Sequence, residues 1–254
     1  MTYVPQPLLP GGGLSYEIYV LEEGPEVCFG GQDGVCYGFM KNEQYSMLFV
    51  EGVPSSDFSE DVHTQSSEVF GKVDALLSSH GFAAGDIVRQ WNYIGNITGC
   101  RRGRQNYQEF NDARSRFYNN AEWANGYPAA TGIGTSCGGV MVEVYAIKGK
   151  KIVNHAIDNP LQISAHSYSQ KVLAGKTDKK ERTTPKFERA RLLGNTIYIS
   201  GTAAIKGEDS ATQNNTVYQA GLTMEIMNNL ISRENIPVPN NGAQYDLLRI
   251  YVKH

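Results

Sequence analysis

The chain repeats itself in three successive blocks, and a repeat of that kind dictates architecture more tightly than composition can. Leu48-Phe49-Val50-Glu51-Gly52 parallels Ile197-Tyr198-Ile199-Ser200-Gly201, each a β-rich run stopped by glycine, at an offset of 149. Residues 65–77 then place Val69, Val73, Leu76 and Leu77 at helical spacing, and 219–231 do the same with Leu222, Ile226, Leu230 and Ile231, at an offset of 154. The third block sets Asp86-Ile87-Val88-Arg89 against Asp246-Leu247-Leu248-Arg249, each leading to an aromatic, Trp91 or Tyr251, at an offset of 160. Offsets that grow along the chain mean longer loops in the second copy, notably Pro237-Val238-Pro239-Asn240-Asn241-Gly242.

The first copy goes on with a helix over 105–122, a strand over 130–136 and the β-branched run Val140-Met141-Val142-Glu143-Val144-Tyr145-Ala146-Ile147. His254 corresponds to Ile94, so the second copy is expected to be incomplete. A full copy reads β-β-α-β-α-β, which predicts an α+β fold of two such units with helices on one face of a mixed sheet. The first unit is expected over 14–150, a linker over 151–184, and the truncated second unit over 185–254. The linker centre, Ala174-Gly175-Lys176-Thr177-Asp178-Lys179-Lys180-Glu181-Arg182, reads as an exposed loop.

Composition removes several functions. With 254 residues, 41% hydrophobic and 10% aromatic, the chain can bury a core, which argues against a disordered tail or charged scaffold. A net charge of −3 gives no general pull toward nucleic acid or anionic membrane, so an anion site must be local. Arg101-Arg102-Gly103-Arg104 reads as a solvated turn on an acidic protein, and no nucleic-acid partner is expected. Cys28, Cys36, Cys100 and Cys137 form no CxxC pair and read as reduced thiols. His63, His80, His155, His166 and His254 show no metal-ligand spacing, and no P-loop or dinucleotide glycine pattern appears; Gly11-Gly12-Gly13 follows a Pro-rich leader and reads as a flexible start. The first thirteen residues lack a signal-peptide pattern and no run reaches membrane-span length, which predicts a cytoplasmic protein with no membrane partner.

Five motifs carry a family resemblance: Arg89-Gln90-Trp91-Asn92-Tyr93-Ile94; Tyr107-Gln108-Glu109-Phe110-Asn111-Asp112-Ala113-Arg114; Tyr127-Pro128-Ala129-Ala130-Thr131-Gly132-Ile133-Gly134; Asn159-Pro160-Leu161-Gln162-Ile163-Ser164-Ala165; and Phe187-Glu188-Arg189-Ala190 leading into Ile199-Ser200-Gly201-Thr202-Ala203-Ala204-Ile205. In this order they resemble the YjgF/Rid (endoribonuclease L-PSP) superfamily, formerly labelled translation initiation inhibitors, and most of all its chorismatase branch. The resemblance implies cleavage of an enolpyruvyl ether, in chorismate or a related small carboxylate metabolite, to release pyruvate without metal or organic cofactor. It also implies a homo-oligomer, a trimer by analogy. Guanidinium groups suit such a substrate because their planar fork holds a carboxylate bidentately. The candidate anchors are Arg114 and Arg189, with Tyr107 and Tyr168 as hydroxyl donors; each arginine has surface pairing as its ordinary alternative. Gly132, Gly134 and Thr135 offer backbone N–H groups to an anion or simply form a turn. Thr202 and Ala203, after a buried strand, leave room for a ligand or merely end the strand.

Departures from the pattern are as informative. Leu161 stands where chorismatases usually carry arginine, so one anion contact is lost, and 206–212 lack the histidines that usually follow. The family's acidic residue belongs to a strand that would follow His254, so no catalytic residue is assigned. Rid deaminases place an arginine where Ala130 stands and a water-orienting glutamate near Glu143, which predicts weak imine hydrolysis. The other-class alternative is a non-catalytic metabolite-binding or assembly module.

Overall fold

The computed structural model describes residues 2, 4, 18, 26–149, 152–177, 181–212 and 215–252. Its elements run β1 (Glu26–Gln32), β2 (Val35–Lys41), β3 (Tyr45–Pro54), α1 (Val62–Ser79), β4 (Ile87–Gly95), β5 (Cys100–Arg101), β6 (Arg104–Gln105), α2 (Asn106–Tyr118), β7 (Ala129–Thr135) and β8 (Val140–Gly149). Then come β9 (Asn154–Ile157), β10 (Ala190–Leu193), β11 (Thr196–Ile199), β12 (Ile205–Lys206), β13 (Asp209–Ser210) and α3 (Thr216–Leu230). This is the expected α+β class, with a mixed front sheet ordered β1-β2-β3-β8-β4-β7 in which only β4 and β7 run parallel. The parallel pair is joined through α2, as a crossover between parallel strands requires. β1 and β2 turn at Asp33-Gly34, whose positive φ values of 51° and 77° are those of a two-residue hairpin turn.

The front core follows from two periods meeting. On β8, Val140, Val142, Val144 and Ala146 face the helices, while Tyr145 and Ile147 face the other way into a second cluster with Met40, Met47 and Val88. Against the first set α1 lays Val69, Val73, Leu76 and Leu77, and α2 adds Phe110 and Ala113. Asp61 caps α1 by accepting the Thr64 N–H at 2.8 Å. α2 ends at Tyr118, short of the expected 122, where Asn119 caps it.

The rear sheet is ordered β11-β10-β9 and packs Ile157, Ala190 and Leu192 against Leu230 and Ile231 at the end of α3. Its strand β9 comes from the stretch expected to be a linker, and pairs in register with β10. The strand expected at Asp246-Leu247-Leu248-Arg249 does not form; Leu247, Leu248, Ile250 and Tyr251 are exposed. Its counterpart β4 is held between β7 and β8, and no strand takes those places beside 246–249 among the described residues. Arg249 instead lays its guanidinium over Trp91 at 4.4 Å from the ring centroid, and Arg89 lies 4.2 Å from the same centroid.

The two sheets meet along the outer edge of β7. Glu188 N–H donates to Pro128 O at 3.1 Å, Gly201 N–H to Ala130 O at 3.0 Å, and Ala130 N–H to Ser200 Oγ at 2.9 Å. Ser200 Oγ donates in turn to Glu188 O, so one buried hydroxyl staples three segments.

Candidate functional site

The seam gathers the buried polar side chains. On α2, Tyr107, Asn111, Arg114 and Tyr118 recur at helical spacing and form a polar stripe, while Phe110 and Phe117 pack on Phe70 at 5.5 and 5.1 Å. Arg114 is 1% exposed, donates to Asn111 Oδ1 at 2.7 Å, and leaves Nε without a partner. Tyr118 O–H donates to Gln90 Oε1 at 2.6 Å, Gln90 Nε2 to Asn92 Oδ1 at 2.5 Å, and Asn92 Nδ2 to Thr131 O at 3.1 Å. Burial raises the Tyr118 pKa, opposed by the charge of Arg114, so the phenol stays protonated and the chain of donors keeps one direction.

Arg189 lies across the seam, 4% exposed, with Nη2 donating to Tyr168 Oη at 2.8 Å and to Ile163 O, and with Nε again unpartnered. Neither Arg114 nor Arg189 meets a carboxylate of the described residues. That is unusual for buried guanidinium groups, whose desolvation costs several kcal/mol. The two arginines do not touch; segment 183–189 runs between their surroundings, tied to α2 by Gln108 Nε2 donating to Thr183 O at 2.9 Å.

The other expected positions divide. Tyr107 lies beside Gly132, where an added Cβ would meet its Cε2 at 3.4 Å, an ordinary contact. Gly134 has a packing cause, because a Cβ there would meet Ile97 Cγ2 at 2.8 Å. Thr135 spends its hydroxyl on Cys137 O at 2.9 Å, and Thr202 spends its own on Ser200 O at 2.9 Å. Ala203 is exposed on the loop after β11, where its carbonyl accepts from Ile205. All three thus take part in local hydrogen bonds.

Register separates the Rid-like pair. Gln90 pairs with Ala130 on one side and Val144 on the other, while Trp91 pairs with Glu143, so Ala130 and Glu143 lie on opposite faces of the front sheet. Burial raises the Glu143 pKa, opposed by a Tyr145 hydrogen bond and by Arg89.

Sequence reasoning missed four groups. Glu188 accepts from Tyr127 N at 2.9 Å, and its other carboxylate oxygen lies 3.5 Å from His166 Nε2. Lys186 sits 5.8 Å from the Tyr127 ring centroid. Arg191, 2% exposed, donates from Nη1 to Gly126 O at 2.6 Å and Tyr127 O at 3.0 Å, and from Nη2 to Asn154 Oδ1; burial pushes its pKa down to about 10. Glu188 lies within the fifth motif and Arg191 directly follows its Phe187-Glu188-Arg189-Ala190 part, which is the only local signal; Lys186 and His166 come near them through the path of the chain. Among the described residues no group of three or more His, Cys, Asp or Glu could hold a metal, and no helix is long and apolar enough to cross a membrane.

Residues 25–147 match the N-terminal domain of the FkbO/Hyg5-like chorismatases. Over this stretch the chain is similar to that family's N-terminal domain. A 3-hydroxybenzoate synthase of Streptomyces hygroscopicus is 25% identical over 252 residues, covering 93% of this chain and 68% of its own. A chorismatase of Streptomyces rapamycinicus is 27% identical over 205 residues, covering 73% of this chain and 56% of its own. A crystal structure of a chorismatase aligns with a TM-score of 0.65 and 24% identity over 82% of this chain and 59% of that one, a likeness of fold. The chain thus spans between about half and two thirds of the length of these chorismatase-type relatives.

Proposed function

We propose that the protein is a chorismatase-like enzyme that cleaves the enolpyruvyl ether of chorismate or a closely related carboxylate metabolite and releases pyruvate. The observation that carries this reading is the pair of buried arginines, Arg114 and Arg189, each with an Nε that has no hydrogen-bond partner and no ion pair to a carboxylate among the described residues. A ligand carboxylate supplies the missing charge and acceptors. The names of the matched relatives, 3-hydroxybenzoate synthase and chorismatase, supply the reaction class. In that chemistry a proton added to the vinyl methylene carbon leaves an oxocarbenium centre at the ether carbon; water adds there, and the hemiketal collapses to pyruvate and the ring alcohol. Anchoring the acid in one pose provides the orientation that the protonation needs. The reading carries with it a cytoplasmic homo-oligomer, a trimer by family likeness, working without metal, organic cofactor or nucleic acid.

The test is to incubate the full chain with chorismate and follow pyruvate. Release is expected, and Arg114→Lys and Arg189→Lys should each lower kcat/KM by about 100-fold with the fold retained, since a point charge replaces a bidentate fork. Saturable chorismate binding with no pyruvate would replace this reading by the non-catalytic binding module.

A further inference from the structure

The hairpin of β5 and β6 is costly to build from the residues it carries. Its two-residue turn holds Arg102 at φ 54° ahead of Gly103 at φ 83°, a left-handed conformation in which asparagine or glycine is the ordinary first residue. Below the turn, Arg101 faces Arg104 directly across the ladder, where like charges repel. Glu109 pairs with Arg104 at 3.2 Å. A segment distant in sequence then adds a fourth cation: Lys176 N–H donates to Gly103 O at 2.8 Å, and a Cβ on Gly103 would meet Lys176 Cδ at 2.9 Å. Arg102 and Lys176 are exposed and form no ion pair among the described residues. A merely solvated turn needs neither the strained arginine nor the added lysine. On the other side, Arg101 Nη1 donates to Ser59 O at 3.2 Å and seats the hairpin beside the loop between β3 and α1. There Phe58 is 60% exposed, with its ring resting against Gly139, whose Cβ would meet it at 2.7 Å. Asp57, Glu60 and Asp61 flank it in the same loop and are exposed as well. An exposed aromatic bordered by arginine is the composition of a protein interface. The acids beside it repel a continuous polyanion such as nucleic acid or an anionic lipid surface, which leaves room only for a short acidic stretch.

We propose that Phe58, Arg101, Arg102 and Lys176 form a docking surface for a partner protein that presents an apolar side chain followed by a short run of acidic residues. The apolar side chain packs on Phe58 and the acids meet the cations, while Asp57, Glu60 and Asp61 limit how far the acidic run extends. The surface uses none of the residues assigned to the carboxylate site, so it stands or falls independently of the reaction.

The probe is a fluorescein-labelled octapeptide of two leucines followed by six glutamates, titrated with the full chain and read by anisotropy. Octathymidylate and phosphatidylglycerol vesicles serve as the competing polyanions. Saturable peptide binding is expected, weaker as salt is raised and at least ~5-fold tighter than that of octathymidylate. Arg102→Gly with Lys176→Ser should weaken the peptide ~5-fold, the size of two exposed charge contacts, and Phe58→Ser should do the same through the lost apolar contact. Arg102→Lys with Lys176→Arg should keep the affinity. Lys41→Ser with Arg233→Ser removes the same charge from exposed positions elsewhere and should change it less than ~2-fold. Because Arg102→Gly relieves the turn, the weakened double variant should melt no lower than the wild type. The proposal is overturned by a wild-type chain that does not bind the peptide, by octathymidylate or vesicles bound as tightly as the peptide, by equal losses in the Lys41 and Arg233 control, or by a melting temperature that falls together with the affinity.

Discussion

In the front sheet the helices sit on one continuous apolar layer running from Val35 to Ala146, whereas the rear divides its apolar residues among small clusters, one of which packs Leu193 and Tyr198 on Met40, Met47, Val88 and Tyr145 of the front sheet's other face, and sets Arg189 and Arg191 beside them. The front therefore has a larger core of its own, and the rear adds polar ties along the edge of β7 to its smaller apolar clusters. Stability in the first region comes from area removed from water. In the second, smaller apolar clusters are joined by buried hydrogen bonds whose partners must all be present, since each buried group left unpaired costs about 1–3 kcal/mol. Such a seam buries guanidinium groups whose Nε atoms have no hydrogen-bond partner among the described residues.

Deleting the middle of the apolar layer is expected to have the largest effect. Phe70 is 2% exposed and meets both Phe110 and Phe117. Phe70→Ala should cost about 3–5 kcal/mol in denaturant unfolding. Amide exchange should quicken across β3, β8 and α1 together. Arg191→Met, which keeps volume but strips donors from Gly126 O, Tyr127 O and Asn154 Oδ1, should cost about 2–3 kcal/mol. Here exchange should quicken in β9, β10 and β11 while the front sheet holds its protection. If both variants loosen the whole chain equally, the two regions form one cooperative unit and the contrast drawn between them is broken.

The contrast also explains what could be read in advance. Helices α1 and α3 were legible because each presents one apolar stripe to one sheet, and β8 because it is buried on both faces and so reads as an apolar run. Short β9 was hidden in a charged stretch, since four residues become a strand only when β10 offers a partner. The run at 246–249 has a strand's residues and lacks a strand's neighbours. Within the site, Arg114 and Arg189 were visible through motifs. Thr135, Thr202 and Ala203 sat in equally suggestive segments, yet local backbone partners claim both hydroxyls and leave the alanine on an exposed loop. Lys186 and His166 had no pattern at all, because what places them is the meeting of two segments distant in sequence.

The smallest expected effect belongs to a polar tie on the outside of the front region, and it sharpens the contrast by showing what such ties are worth without burial. Glu68 accepts from Lys72 and from the hydroxyl and backbone N–H of Ser56, binding α1 to the end of β3. The Lys72 bond first, and then the Ser56 bonds, hold its pKa down at about 2 against an ordinary 4.5. A lowered folded-state pKa contributes stability that is fully present above pH 4.5 and is lost as pH falls toward 2. The side chain is a third exposed, so water and salt screen most of that contribution. Glu68→Gln should thus cost about 0.5 kcal/mol at pH 7 and flatten the fall in stability between pH 4.5 and 2. A loss as large as that of Arg191→Met would mean that exposed and buried ties are worth the same in this protein, and that burial at the seam is not what gives its arginines their weight.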